Sequence, residues 1–169
     1  DALPIYDDRK EWNYMTEWKI KSGEIIPYTE SADKLPAISK YYDYDEGAPG
    51  KSAQSNGITC IYRYAEVLLM YAEASTRATN SVNQDALNAI QEVQKRAGYQ
   101  DRQIELTTTT EPTAFLAAVS NERGWEFFAE MKRWFELVRL EKVKEVRAEE
   151  WDASTFNTNH QDRKSTRLN

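Results

Sequence analysis

The sequence predicts a mainly α-helical fold with one small β-hairpin, and three patterns support that prediction. Apolar residues recur with helical spacing over residues 61–79 and again over 83–97. A third helical stripe follows Thr110, after a threonine-rich loop. Between Trp12 and Ile20, in contrast, the side chains alternate, which is typical of a strand. We therefore expect packed helices, with the strand pattern and long loops at the amino-terminal end.

The stretch from Ile61 to Ala74, IYRYAEVLLMYAEA, is apolar over most of its helical circumference. Its few charges fall on a single narrow stripe, and Glu73 with Arg77 has the favourable order for an i,i+4 ion pair. A helix that is apolar on most sides is usually buried between other elements. We expect this helix at the centre of the core.

The second helical pattern pairs with the first. Asn83 is a suitable N-cap, and Gly98 stands where a C′ glycine ends a helix. The apolar residues between them form one stripe: Ala86, Ile90, Val93 and Ala97. Since only a few residues separate the two helices, we expect a helical hairpin similar to a tetratricopeptide unit. The predicted fold class is thus mainly α, with tetratricopeptide-like helical hairpins, long loops and a small β-hairpin.

The hairpin prediction depends on alternation and on a turn. One side of the strand carries Trp12, Tyr14, Thr16, Trp18 and Ile20. Ser22 and Gly23 then offer a turn, and residues 24–26 can return as a second strand before Pro27 ends it. Residues 27–57 are broken by prolines and glycines, and we expect long surface loops there.

The third helix carries two carboxylates on its apolar face. Thr110 can cap it, with Pro112 tolerated in the first turn. Phe115, Val119, Glu122 and Glu126 then share one face at steps of four, three and four. A buried carboxylate needs a partner. The candidate partners are the arginines Arg63, Arg123, Arg133 and Arg139.

Composition limits the class of protein. The chain has 169 residues and a net charge of −6, which argues against a nucleic-acid partner because phosphate binding needs a basic surface. The single cysteine, Cys60, cannot form an internal disulfide, and we expect it as a small buried hydrophobe. Charges interrupt every apolar run before it reaches the length of a membrane span.

No motif assigns catalysis. Glu122 and Glu126 could be imagined as an acid/base pair or as metal ligands. A carboxylate-bridged di-metal bundle uses Glu-x-x-His motifs, however, and the single histidine, His160, lies in the polar carboxy-terminal segment. We therefore expect no catalytic residue, no metal site and no cofactor, and we interpret the two carboxylates as members of a structural ion-pair network.

The aromatic residues are the one indication of ligand binding. Residues 1–60 hold two of the five tryptophans and six of the ten tyrosines. Sugar rings present C–H faces that lie against aromatic planes, and Tyr and Trp add a polar group. The candidate glycan platform consists of Trp12, Trp18, Tyr41, Tyr42 and Tyr44. In the alternative interpretation, these aromatic side chains pack the strand and loop onto the helices.

Two passages resemble the signature of the SusD/RagB family of outer-membrane nutrient-binding lipoproteins. The first is YRYAEVLLMYAEA at 62–74, followed by ALNAIQEVQKRAG at 86–98, and the second is NERGWEFFAEMKRWFELVRL at 121–140. KYYDYD at 40–45 resembles the family's approach to the first passage. The resemblance covers about residues 38–143 and corresponds to a carboxy-terminal portion of a longer family member.

The resemblance implies a helical protein that binds a glycan or other nutrient without cleaving it. Such proteins lie on the outer face of the outer membrane, as a lid on a TonB-dependent transporter of the SusC type. A membrane association would then depend on a lipid anchor that is absent from this chain. Two alternatives stay open: a tetratricopeptide-like protein-interaction module, and an α-helical glycoside hydrolase with unassigned carboxylates.

The expected organisation has three parts. Residues 1–60 form an aromatic-rich loop and β-hairpin segment, and residues 61–150 form the helical, SusD-like portion. Residues 151–169 are polar and without pattern, and we expect a disordered tail there.

Overall fold

The computed structural model describes residues 7–19, 22–31, 34–41, 60–101 and 104–150. For residues 11, 18, 19 and 147–150 it describes the backbone alone. The chain divides into two compact units, Asp1–Met131 and Lys132–Asn169. The expected boundary at residue 60 stays a prediction, and the expected disordered tail lies outside the described residues.

The fold is mainly α with a small β component, which confirms the predicted class. The first unit contains α1 (Arg9–Asn13), β1 (Tyr14–Met15), β2 (Glu17–Lys19), β3 (Ile25–Pro27), β4 (Ala37–Ile38), α2 (Tyr64–Thr79), α3 (Gln84–Arg96) and α4 (Pro112–Glu126). None of the described helices combines the length and the apolar character that crossing a membrane requires.

The core of the first unit lies between α2, α3 and α4, which pack on one another. Helices α2 and α3 form the expected hairpin, and α4 packs on both. The buried apolar residues of the core are Leu69, Ala72, Ala86, Leu87, Ala89, Ile90, Val93, Phe115, Val119 and Phe127. The helical spacing found in the sequence therefore identifies the inner faces of α3 and α4.

Helix α3 begins and ends as its sequence predicts. The Asn83 side chain accepts a hydrogen bond of 2.8 Å from the backbone N–H of Ala86. At the other end Gly98 has φ +80°, and its N–H bonds to the Lys95 carbonyl while Tyr99 bonds to Gln94. Those two bonds form a Schellman motif, in which glycine best tolerates the left-handed position.

The cap predicted for α4 is wrong by one residue. The N-cap is Glu111, not Thr110, and its carboxylate accepts hydrogen bonds from the N–H groups of Thr113 and Ala114. The reason is Pro112, because the residue before a proline is disfavoured in helical conformation and stays extended. The bonds from Ala114 and Thr113 also lower the pKa of the Glu111 carboxyl.

The β-hairpin is confirmed, but its limits differ from the prediction. Strands β2 and β3 pair antiparallel, with Glu17 opposite Pro27. Trp12 and Asn13 belong to α1 rather than to a strand. Strand β1 turns away to pair with β4, so that Tyr14 lies opposite Ile38. The loop-like composition of residues 27–57 concealed β4.

Helix α2 starts at Tyr64, three residues later than its apolar pattern does, and it is buried on one side only. Leu69 and Ala72 are fully buried, whereas Tyr64, Val67 and Tyr71 on the opposite side are exposed. The expectation of a helix surrounded by core is therefore wrong for the described part of this chain. Cys60, expected to be buried, is exposed.

The second unit contains α5 (Arg133–Arg139) and α6 (Val143–Glu150), which pack on each other. Glu141 joins them with φ 57°, and the backbone N–H of Lys142 bonds to the Leu137 carbonyl. A Schellman turn thus ends α5 without a glycine. Within α5, Arg133 Nη1 lies 3.5 Å from Glu136 Oε2.

Gly98→Ala should destabilise the protein more than Gly23→Ala. Both glycines have a positive φ, so each substitution carries the left-handed penalty of about 1–2 kcal/mol. A Cβ at position 23 meets nothing within 4 Å, whereas one at position 98 would overlap the carboxylate of Asp8. Urea unfolding of both variants measures the difference, and equal losses would contradict a close packing of Asp8 on Gly98.

Candidate functional site

Two carboxylates on α4 lie in the interior of the first unit. Glu122 is 0% exposed and Glu126 is 2% exposed. They are one helical turn apart and continue the apolar face of Phe115 and Val119. Since an unpaired buried charge is very unfavourable, the surrounding cations decide whether this helix can pack.

Arg9 joins both carboxylates. Its Nη1 donates to Glu122 Oε1 at 2.7 Å and to Glu126 Oε2 at 3.0 Å. The rest of the guanidinium is held by Asp7, with Nη2 donating to Oδ2 at 2.6 Å. The ring of Tyr99 lies 5.9 Å from the guanidinium carbon. Arg9, more than a hundred positions away in sequence, thus helps to neutralise the two buried carboxylates of α4.

Arg63, the residue that directly precedes α2, binds the same group of carboxylates. Its Nη1 donates to Glu126 Oε1 at 2.6 Å, and its Nη2 donates to Glu130 Oε1 at 2.8 Å. A further bond of 2.8 Å reaches the main-chain carbonyl of Glu126 at the end of α4. The same guanidinium therefore binds two carboxylates and the negative end of the helix dipole.

Lys40 and Arg96 complete the shell of cations. Arg96, in the last turn of α3, pairs with the Glu126 carboxylate at 2.5 Å. Lys40 Nζ donates to the carbonyls of Glu126 and Phe128, at 3.1 and 3.2 Å, and to the Glu130 carboxylate. We call the whole set the ion-pair cluster: Asp7, Arg9, Lys40, Arg63, Arg96, Glu122, Glu126 and Glu130. Its four carboxylates balance its four cations.

The second oxygen of Glu122 faces neutral donors. Tyr99 donates its hydroxyl to Glu122 Oε2 at 3.2 Å, and Gln94 donates its amide at 3.4 Å. Gln94 is held in turn by Thr107, whose N–H bonds to Gln94 Oε1 at 2.9 Å. This arrangement fixes the loop before α4 to the inner face of α3.

The surroundings move the pKa values of the two carboxyls in opposite directions. Burial raises the pKa of Glu122 above its ordinary value, and the favourable effect of Arg9 offsets only part of that. Burial also acts on Glu126, but Arg96, Arg63 and Arg9 outweigh it and lower the pKa of that carboxyl. The difference follows from the number of cations on each group.

The ion-pair cluster has the features of a structural network. Each of its interior carboxylates is buried and bonded to an arginine, whose guanidinium stays protonated at neutral pH and therefore cannot act as an acid or a base. Among the described residues, no group of three or more His, Cys, Asp and Glu side chains is arranged to hold a metal ion. The arrangement joins α4 to the start of α1 through Arg9, to the segment after β4 through Lys40, and to the residue before α2 through Arg63.

Of the four arginines predicted as partners, Arg63 is the one shown bound to Glu126. Arg123 lies 3.9 Å from Glu66 on α2. Arg133 and Arg139 belong to the second unit, where Arg133 pairs with Glu136. Arg9, Lys40 and Arg96 are cations of the cluster that were not predicted from the sequence. Of these three, Arg96 could have been predicted as a partner of Glu126. It is the last residue of α3, and the position of a helix end is easier to predict than that of a loop residue.

The predicted glycan platform is described in part. Trp12 lies on α1 and is 70% exposed, and Tyr41 is 41% exposed. The segments that carry them are hydrogen-bonded, since Ser39 Oγ donates to the Trp12 carbonyl at 2.5 Å and Ser39 N donates to the Asn13 carbonyl at 3.0 Å. The backbone of Trp18 lies in β2 opposite Ile26. The side chain of Trp18 and the whole of Tyr42 and Tyr44 lie outside the described residues.

Tyr41 lies against the turn that follows α4. Its hydroxyl donates to the Ala129 carbonyl at 3.3 Å. Ala129 and Met131 both have a left-handed backbone, with φ 62° and 60°, and Met131 is 87% exposed. Tyr14, on β1, contacts Phe128 in the same turn, with ring centroids 4.6 Å apart. Aromatic and apolar side chains therefore surround the end of α4 that the ion-pair cluster holds.

Comparison with known proteins identifies the family. The profile of the SusD family matches residues 6–168. The chain belongs to the SusD family. The resemblance found in the two helical passages is thereby confirmed.

Relatives in the SusD family are considerably longer. The chain is 29% identical to SusD-like protein P2 from Formosa agariphila, over 86% of its own length and 32% of that protein. It is similar to a solved SusD superfamily protein from Parabacteroides distasonis, with 28% identity, a TM-score of 0.62, and coverage of 81% of this chain and 29% of the other. A SusD homolog from Bacteroides thetaiotaomicron shares the fold at 22% identity and a TM-score of 0.57, over 80% and 30% of the two chains. The chain thus spans about a third of the length of these relatives.

Arg9→Leu should lower the free energy of unfolding by about 3–5 kcal/mol, because it leaves buried carboxylates without a partner. Arg77→Leu is the matched control, since Arg77 pairs with Glu73 at 2.8 Å while its side chain is 49% exposed. An exposed pair of that kind contributes less than about 1 kcal/mol. Urea unfolding at pH 7 compares the two, and losses of similar size would contradict the importance of the interior pairs.

Removing either carboxyl should change the pH dependence of stability, with opposite signs. The lowered pKa of Glu126 stabilises the fold above the unfolded value of about 4.3, and that contribution is lost as the pH falls through the folded value. The raised pKa of Glu122 has the reverse effect, because burial destabilises the charged carboxylate and protonation at lower pH removes that charge. Between pH 6 and 3, Glu126→Gln should therefore lose less stability than the wild type and Glu122→Gln more, as measured by urea unfolding. Parallel curves for all three proteins would refute this assignment.

Proposed function

We propose that this chain is the carboxy-terminal portion of a non-catalytic glycan-binding protein of nutrient uptake. The protein would act on the outer face of the bacterial outer membrane, with a TonB-dependent, SusC-like transporter as its partner. Membership of the SusD family supports the general class of function, which is glycan binding for nutrient uptake. Because the chain spans 32% of a curated relative, the ligand and the partner are proposed for the complete protein.

The observation that carries the proposal is the position of Tyr41. Its ring is partly exposed, while its hydroxyl is bonded to Ala129 and its neighbour Lys40 is bonded to the end of α4. An aromatic ring whose hydroxyl is already hydrogen-bonded presents a flat surface on which a sugar ring can stack. Binding then costs little conformational entropy of the tyrosine side chain. Trp12, on the adjacent segment, offers a second exposed ring.

A binding role without cleavage is favoured by the state of the carboxylates. A glycoside hydrolase needs two carboxyl groups that flank the scissile bond and reach the substrate. Glu122 and Glu126 are the pair that the sequence offered for such work, but both are buried and bonded to Arg9. The ion-pair cluster would have to be opened before either could contact a sugar.

Tyr41→Ala should weaken retention by a binding polysaccharide about tenfold, since one stacking ring is lost. Tyr71→Ala is the matched control, because Tyr71 is exposed to a similar extent on the far side of α2. Affinity electrophoresis against a panel of soluble polysaccharides measures the retention, with assay of new reducing ends in the same samples. The melting temperature of both variants should stay close to that of the wild type.

The same experiment distinguishes the alternatives. New reducing ends would establish a hydrolase and overturn the proposal. Unchanged retention of Tyr41→Ala would remove Tyr41 from the site. If no polysaccharide retains the wild-type chain, the tetratricopeptide-like interaction module becomes the better account.

A further inference from the structure

The turn that follows α4, residues 127–131, contains no glycine, and it still places two residues in the left-handed region. Ala129 has φ 62° and Met131 has φ 60°. Residues with a Cβ disfavour that region, because the Cβ comes close to the following carbonyl oxygen. A strained backbone of this kind persists only where the surrounding contacts hold it, and it is often found beside binding sites. The contacts that hold this turn are therefore of interest for function.

Lys40 binds the turn at three oxygen atoms. Its Nζ donates to the carbonyls of Glu126 and Phe128 at 3.1 and 3.2 Å, and to the Glu130 carboxylate at 2.5 Å. Carbonyls at the end of a helix lack partners within the helix, and Lys40 supplies one. The Glu130 side chain is only 5% exposed, and its Oε1 also accepts a bond of 2.8 Å from Arg63. Lys40 and Glu130 thus connect the turn to the start of α2.

Tyr41 follows Lys40 directly, and its side chain is fixed at two ends. The bonds of Lys40 hold the backbone beside the turn, and the Tyr41 hydroxyl donates to the Ala129 carbonyl at 3.3 Å. A long hydrogen bond at an exposed site contributes little net stability, because water competes for both groups. The orientation of the ring therefore depends mainly on the position at which Lys40 holds the backbone.

The second exposed ring of the platform is connected to the same segment. Ser39, the residue before Lys40, donates its hydroxyl to the Trp12 carbonyl at 2.5 Å. Three successive residues thus bind α1 and the two sides of the turn after α4.

We propose that Lys40 and Glu130 are positioning residues, which fix the ring of Tyr41 in the orientation in which a sugar ring stacks on it. They act through the turn after α4 and do not contact the sugar. This inference rests on the proposed function, because it concerns the same aromatic site. A ring that is already ordered loses less conformational entropy on binding, and the affinity for the sugar is higher as a result.

The order of the Tyr41 ring can be measured by NMR relaxation in the absence of any glycan. The chain is labelled with tyrosine that carries ¹³C in the ring, and Tyr41→Phe assigns the Tyr41 signal among those of the ten tyrosines by its loss. In Lys40→Met the order parameter of the Tyr41 ring should fall by about a third, which is the difference between a rigid and a flexible group.

A second variant tests the same contact from the side of the carboxylate. Glu130→Gln keeps the shape of the side chain and one acceptor oxygen but removes the charge, so the Tyr41 ring should lose less order than in Lys40→Met. If Lys40→Met does not fold, Glu130→Gln decides alone. Arg77→Met is the matched control, because it removes an ion pair of 2.8 Å at the other end of α2. Unchanged order of the Tyr41 ring in the folded Lys40 and Glu130 variants would overturn the proposal.

Affinity electrophoresis of the same variants shows whether ring order matters for the sugar. Lys40→Met should bind a polysaccharide that retains the wild type about threefold to tenfold more weakly, because binding must then order the ring. Arg77→Met should bind like the wild type. Full retention of Lys40→Met, with its Tyr41 ring disordered, would overturn the role in binding.

The two proposals can fail separately. If no polysaccharide retains the wild type, the proposed function fails. A loss of Tyr41 ring order in Lys40→Met would still support the positioning of the ring by Lys40, because the NMR measurement uses no glycan.

Discussion

Neutralisation of two interior carboxylates is the constraint on which the first unit depends. Glu122 and Glu126 lie on the inner face of α4 with 0% and 2% exposure, so α4 can pack only where cations meet them. Arg9, Arg63 and Arg96 do so from three separate parts of the chain. The arrangement of these segments is therefore determined by charge as well as by apolar burial. Loss of one cation costs more than loss of a surface pair because the remaining charges stay out of water.

The same bonds connect the helical core to the amino-terminal segment. The described residues between 7 and 41 contribute no member of the central apolar core, yet Arg9 and Lys40 are bonded to α4 at distances of 2.7–3.1 Å. The pairing of β1 with β4 brings the segments that carry these two residues together. Trp12 and Tyr41 thus lie on segments that hydrogen bonds and ion pairs connect to α4.

Much of this could be predicted from the sequence, because local rules govern helix ends and inner faces. Asn83 and Gly98 were sufficient to place both ends of α3, and the stripe through Phe115 and Glu126 identified the inner face of α4. The partners of the carboxylates were harder to predict. Arg9 is separated from Glu126 by 117 positions, and no local pattern distinguishes it from a surface arginine.

The sequence of α2 predicts more burial than the described residues show. Its apolar circumference predicts a helix with neighbours on all sides, while the described residues cover one side. The prediction failed because apolar spacing identifies the helix faces that can be buried, and it does not tell which of them a neighbouring element covers. The relatives are about three times as long as this chain.

A double-mutant cycle between Arg9 and Glu122 tests the central claim most directly. The free energies of unfolding of Arg9→Leu, Glu122→Gln and the double variant are compared with that of the wild type. If the interior pairing holds α4 to the amino-terminal segment, the two losses should be coupled by about 1–3 kcal/mol. Losses that add to within about 0.5 kcal/mol would show that the two residues act independently and would contradict the account.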